Sequence, residues 1–141
     1  MPKKIMSITF ALLTLAFVWG INSTPLFKGY SSQYEVYLKS NSSNAQIINC
    51  CVKNLWKYFT RYGESCYVEN FADFTDNPTS FIEELGGKVV FTEQTEKGVS
   101  YYGYSPKIKY SKVINGKTIN LHLFVGSDYA KIGSPIIFGS Y

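Results

Sequence analysis

The residues able to do chemistry are few. There is one histidine, His122, and three cysteines, Cys50, Cys51 and Cys66. As a general base, His122 needs an acid or nucleophile within hydrogen-bond reach. A single histidine is also too little for zinc, which takes three or four ligands. A thiol enzyme would pair a cysteine with His122, but no local signature of such a nucleophile surrounds any of the three. An adjacent pair and a later single cysteine do not have metal-site spacing. In an oxidising compartment Cys66 could bridge to Cys50 or Cys51, and an odd count then leaves one thiol over. The alternative is that all three are small buried hydrophobes.

Other catalytic patterns are absent. Glu83 and Glu84 are neighbours on an expected helix and diverge. A turn separates Glu93 from Glu96, so no carboxylate pair is set at hydrolase separation. Residues 133–135 (GSP) lack the serine-hydrolase elbow, and no glycine-rich phosphate loop occurs. The expected catalytic, cofactor-binding and metal-binding sets are therefore all empty. A small envelope hydrolase using Cys66 or His122 stands as the alternative to a non-enzymatic domain.

Tyrosine is the other conspicuous residue type. Tyr101, Tyr102, Tyr104, Tyr110, Tyr129 and Tyr141 crowd the C-terminal half. An exposed tyrosine face suits a protein or glycan partner, because the ring is apolar and its hydroxyl is wet. Cross-strand pairing within a sheet is the competing reading.

The elements that would carry these residues are mostly strands. The chain has 141 residues, enough for one ordinary domain, with 45% hydrophobic and 17% aromatic content. Its formal charge is +4, and without the first 24 residues 12 basic residues face 10 acidic ones. That balance gives no nucleic-acid surface, so no nucleic-acid partner is expected.

Lys3 and Lys4 precede an apolar run over residues 5–21, which Asn22-Ser23-Thr24-Pro25 ends. This is the layout of an export signal. As a helix the run spans about 25 Å against a hydrocarbon core of about 30 Å. It has no clean cleavage site, so residues 1–24 serve as either a cleaved signal peptide or an uncleaved signal anchor. Both place residues 25–141, a single domain, outside the cytoplasm, secreted or held at the membrane by residues 5–21.

Residues 26–33 read as a loop or tether and 34–38 as a strand. Residues 45–62 fit a helix, or a strand at 45–50 followed by a helix. Residues 63–65 read as a turn and 66–71 as a strand. Asn77 caps and Pro78 begins a helix through Leu85, with Phe81, Ile82 and Leu85 as its buried stripe and Gly86-Gly87 as its end. Strands are expected at 88–95, 99–105, 107–114, 118–125 and 136–138. The last is an edge strand entered through Ser134-Pro135. Asn115-Gly116 sits between two strand-forming runs and marks a tight hairpin. Alternation over 118–125 puts Ile119, Leu121, Leu123 and Val125 on a packed face and Asn120, His122 and Phe124 on a more open one. The fold class is α+β: a mostly antiparallel twisted sheet with one or two helices on one face.

Tyr104-Ser105-Pro106, the Asn-Gly hairpin, the strand at 119–125 and Gly133-Ser134-Pro135-Ile136-Ile137 together resemble the YwmB family, over the last 55 to 60 residues. These are exported or membrane-associated proteins of Gram-positive bacteria. The resemblance implies a fold like that of the TATA-box-binding protein, in a family with no established activity; DNA binding by that analogy is disfavoured, because residues 25–141 are near neutral and expected outside the cytoplasm. The export layout, the aromatic strands and the absence of catalytic spacing instead give the expectation of a non-enzymatic binding or scaffolding domain at the cell envelope.

Overall fold

The computed structural model describes residues 3–23, 26–27, 29–31, 33–38, 47–50 and 62–138. Helix α1 spans Lys3–Ser23 and carries no acidic residue in its first turn. Its residues 3–18 are exposed all round, the apolar Ile8, Phe10, Leu13 and Phe17 among them. Among the described residues, no helix is long and apolar enough to cross a membrane.

The body is a seven-stranded antiparallel sheet. Its strands are β1 (Tyr34–Tyr37), β2 (Ile47–Cys50), β3 (Gly63–Tyr67), β4 (Lys88–Thr95), β5 (Gly98–Tyr104), β8 (Leu121–Gly126) and β9 (Ala130–Ser134). Their order across the sheet is β2-β1-β3-β9-β8-β5-β4. A separate hairpin, β6 (Lys112–Ile114) and β7 (Lys117–Ile119), turns at Asn115 and Gly116, whose φ values of 52° and 73° suit a primed turn. Two short helices, α2 (Ala72–Thr75) and α3 (Ser80–Glu84), cover one face. The fold class is thus α+β, as the strand-rich composition and the helix expected at 77–85 imply.

Phe81 and Ile82 on α3 sit in the core with Phe74, Cys66, Leu121, Leu123, Ala130 and Ile132. Phe27 joins them, fully buried, with its ring centroid 5.8 Å from that of Phe81. Tyr30 packs edge-on against the same ring at 5.2 Å. The stretch from 26 is thus a loop anchored in the core through Phe27, not a free tether. The polypeptide passes from an exposed apolar helix into a buried position within four residues of Ser23.

Several boundaries differ from expectation, each for a local reason. Residues 63–65 are not a turn but the start of β3, paired with β1 and β9. Gly63 permits that packing, since a Cβ there would lie 2.1 Å from the Ser134 carbonyl oxygen. The helix at 77–85 is shorter, because Asn77 does not cap it; the Asn77 carbonyl instead accepts from the Ser80 N–H and hydroxyl in a turn. Gly86 does leave it in the left-handed conformation, at φ 72°. Helix α2 has no counterpart in the expectation.

The strand at 107–114 survives only as β6. Asn120 explains this: its side chain accepts from Ser105 N–H at 2.7 Å and donates to the Ser105 and Ile108 carbonyls. Those backbone groups bond to a side chain, not to a neighbouring strand. The same residue divides the expected strand at 118–125 into β7 and β8. Residues 136–138 form no strand. The last strand is β9, central between β3 and β8, and residues 136–138 lie across its outer face. Within 45–62, Ile47–Cys50 is β2, paired with β1, and residues 51–61 lie outside the described residues.

Phe27 gives the first test. Phe27→Ala removes a buried ring from the centre of the core and should cost about 3–5 kcal/mol. Equilibrium urea unfolding should show a lower midpoint with an unchanged slope.

Candidate functional site

The face of the sheet opposite the helices is not open. In β8, Leu121, His122, Leu123 and Phe124 are all buried, so both sides of the strand are covered. Alternation identified the two sides correctly for residues 121–125 but not for Ile119, which lies outside the helix-side core on the separate hairpin, and the side with His122 is closed, not open. Residues 136–138 close it, and Gly133 lets them do so. Gly133 pairs with His122 in the β8–β9 register, and a Cβ on it would come within 2.8 Å of the Ile137 side chain and 3.0 Å of its nitrogen.

This closure fixes His122. The Ile137 N–H donates to Nδ1 at 3.2 Å, so Nδ1 is an acceptor and the ring proton sits on Nε2. Nε2 then donates to the Ser100 hydroxyl, 3.2 Å away. The imidazole stacks on Tyr102 at 4.4 Å, and Tyr102 on Phe91 at 4.4 Å, giving a three-ring file across β8, β5 and β4. Burial pushes the His122 pKa down to about 3, because a charged imidazole is poorly solvated there.

Ser100 and His122 form a pair that could be taken for a hydrolase dyad. The tautomer is the reverse of what such a dyad needs: a general base must accept from the serine through Nε2, whereas here Nε2 donates. Both residues are also almost fully buried, at 1% and 2% exposure.

A second polar file lies beside it. The Phe138 N–H donates to the Tyr37 hydroxyl at 3.0 Å, and Tyr37 donates to the Ser65 hydroxyl at 2.5 Å. Ser65 donates to the Glu35 carboxylate at 3.0 Å, and Lys131 Nζ pairs with the same oxygen at 2.9 Å. The Lys131 ammonium also lies 4.7 Å from the Tyr67 ring centroid. Burial raises the Tyr37 phenol to about 12, so it stays a neutral donor. Each polar side chain in the file is partnered, as burial demands.

Cys66 lies on the other side. It pairs with Ile132, which pairs with Leu123, and all three belong to the helix-covered core. His122 follows Leu121 and precedes Leu123, so it projects from the opposite face. The sheet therefore separates the two residues on which a thiol reading depends. Burial, reinforced by nearby Glu64, pushes the Cys66 thiol up to about 12, and it is a free thiol. The side chains of Cys50 and Cys51 lie outside the described residues. Among the described residues no three His, Cys, Asp or Glu side chains gather as a metal site.

The tyrosines divide among environments and do not form one face. Tyr102 is buried and Tyr101 packs against the helix-side core. Tyr129 packs between Phe124 and Tyr67. Tyr104 and Tyr110 are exposed, the latter 6.0 Å from Tyr62. Tyr141 lies outside the described residues. Concavity is found elsewhere, in an open cleft of about 400 Å³ floored by Phe74, Val99, Tyr101 and Val125 and edged by Glu96 and Lys97. The polar files do not line it.

The Ser100–His122 contact was not readable beforehand. The residues are 22 apart, and only the β5–β8 register brings them together. These features define a small antiparallel α+β domain whose central strands are covered on both faces and whose His122, Cys66 and Lys131 are held as internal structure. No family model, no curated protein and no solved structure matches the chain.

His122 should remain neutral in the folded protein well below the usual imidazole range. The folded pKa is depressed, so the unfolded chain takes up the proton first. Stability is therefore full above about pH 6.5 and falls as pH drops from about 6.5 toward 3, by at most about 1.4 kcal/mol per pH unit. His122→Gln, which keeps an acceptor, should flatten that slope, and the wild-type imidazole resonances should not titrate between pH 8 and 5.

Cys66 should resist iodoacetamide at pH 8 in the native state. It should be alkylated once urea unfolds the chain, as peptide mapping by mass spectrometry would register.

Proposed function

We infer that the chain is an exported domain that works at the outer side of a membrane as a binding or scaffolding module, not as an enzyme. The observation that carries this reading is the contrast between α1 and the body. Lys3 and Lys4 open a helix whose residues 3–18 are exposed all round, whereas packing against the core is seen from Leu26 and Phe27 onward. An apolar segment left out of the core suits an address read by the export machinery. Residues 5–21 are the membrane-contacting part, whether they are later removed or retained.

The non-enzymatic half of the reading rests on the chemistry of the buried files. The histidine is held in the donor tautomer, the thiol is sequestered on the opposite face, and the carboxylate of Glu35 is neutralised by Lys131. These groups hold strands together. The resemblance to the YwmB family, whose members are exported or membrane-associated, supports the location. Tyr104, Tyr110 and Tyr62 are the exposed aromatics available to a protein or cell-wall glycan partner.

Fractionation tests the location. Protease added to spheroplasts expressing the full chain should digest the body, and Leu12→Arg with Leu13→Arg should leave it protected in the cytosol. Full-length wild type recovered intact as a soluble cytosolic protein would overturn the reading. His122→Gln should leave capture of partners from membrane fractions unchanged.

A further inference from the structure

The seven-stranded sheet stops at β4, and among the described residues no strand pairs with its outer side. β4 has eight residues, and Thr92, Glu93, Gln94 and Thr95 are all exposed. Thr95 and Gly98 close the two-residue turn at Glu96-Lys97 and form the hydrogen-bonded pair of that hairpin. Alternation from that pair turns the N–H and C=O of Thr92 and Gln94, which face Tyr101 and Val99 in the register, away from β5 and off the sheet. A row of outward backbone donors and acceptors is a template for a further strand.

The charges along this edge select the strand that fits. Tyr102 stacks on one face of the Phe91 ring at 4.4 Å, and the Lys117 ammonium of the β6–β7 hairpin lies over the same ring, 5.4 Å from its centroid. Glu93 follows two residues later on the same side of β4, where it accepts from the Tyr102 hydroxyl at 3.3 Å. A strand laid antiparallel on this edge fits best if it sets a carboxylate opposite Phe91, beside Lys117. β4 itself carries that carboxylate at the required place.

We propose that the outer edge of β4 pairs with the same edge of a second copy of this chain, antiparallel about a two-fold axis at Thr92. Thr92 then meets Thr92, Val90 meets Gln94, and Phe91 meets Glu93 of the second copy, reciprocally. Each Glu93 is thereby brought to the Lys117 that lies over the facing Phe91, so two lysines and two carboxylates alternate around the axis. Centring the pairing on Glu93 instead would set like charges directly opposite, which is destabilising. The register shift between Val89 and Phe91 ends the shared ladder. An unrelated extended peptide would satisfy the outward backbone groups, but nothing requires it to place a carboxylate beside Lys117. The pairing does not depend on the cell compartment and so goes beyond the export reading.

The test uses the full chain in detergent micelles, read by sedimentation equilibrium and by non-reducing peptide mapping. Wild type should be dimeric. The Thr92→Cys variant should form a disulfide with a second copy of itself at that position. The Gln94→Cys variant should not, yet should cross-link when mixed with the Val90→Cys variant. Thr92→Pro removes an N–H that points off the sheet, so it should give a monomer with an unchanged urea midpoint. Glu93→Lys should weaken association about tenfold, Lys117→Glu should do the same, and the two together should restore it. This charge swap decides the matter if Thr92→Pro fails to fold. A monomeric wild type, a dimer that survives Thr92→Pro (as one held together by α1 would), failure of the swap to restore association, or Gln94→Cys cross-linking to itself as readily as Thr92→Cys would each overturn the proposal. A cytosolic location in cells would sink the export reading and leave the sedimentation result standing, so the two failures are distinguishable.

Discussion

The absent side chain at Gly133 is the constraint on which one whole side of the sheet depends. With nothing projecting from that position, residues 136–138 lie directly on β9. Their backbone N–H groups then reach His122 and Tyr37, and two buried side chains gain partners that no ladder would supply. Any Cβ would lift this segment and leave an imidazole and a phenol facing water or nothing. A buried polar group without a partner is among the costlier defects a core can have.

Covering both sides of the sheet obliges the interior to contain polar groups, and their arrangement follows from that. Lys131 is almost wholly buried, so it requires a counter-charge, and Glu35 supplies it. Such a pair contributes little net stability, but losing either member strands a charge. The file from Phe138 through Tyr37 and Ser65 to Glu35 joins β1, β3 and β9 by way of side chains. It lies over the seam where the N-terminal three strands meet the C-terminal four. The helix side, by contrast, is held by apolar packing of Phe27, Phe74 and Phe81 with the aliphatic residues of β8 and β9.

What could be read beforehand was local chemistry. Asn115-Gly116 demands positive φ at both residues, and no distant contact changes that. The strands at 88–95 and 98–104, joined by a two-residue turn, follow from β-branched and aromatic residues at close range. Phe81 and Ile82 sit on the inner side of their helix, as their spacing requires. Illegible features depend on partners far along the chain. Asn120 interrupts a well-patterned strand because its side chain clamps Ser105 and Ile108, 15 and 12 residues away. Residues 130–134, Ala-Lys-Ile-Gly-Ser, look like a poor strand and become a central one because β3 and β8 both need a neighbour. Phe27 sits in a polar, turn-like stretch, and only the assembled core shows where it goes. The covered state of His122 was hidden for the same reason, since alternation reveals two sides but not what rests on either.

The contact between the Phe138 N–H and the Tyr37 hydroxyl spans 101 positions. The first strand of the body is thus completed by residues about a hundred positions later, and Phe27 shares one core cluster with Ala130 and Ile132 across a similar interval. Such a topology cannot close piecemeal from its beginning; loop entropy is lost early and rewarded late. The closing contacts of such a chain form only once its last turn is free to reach back to the first strand.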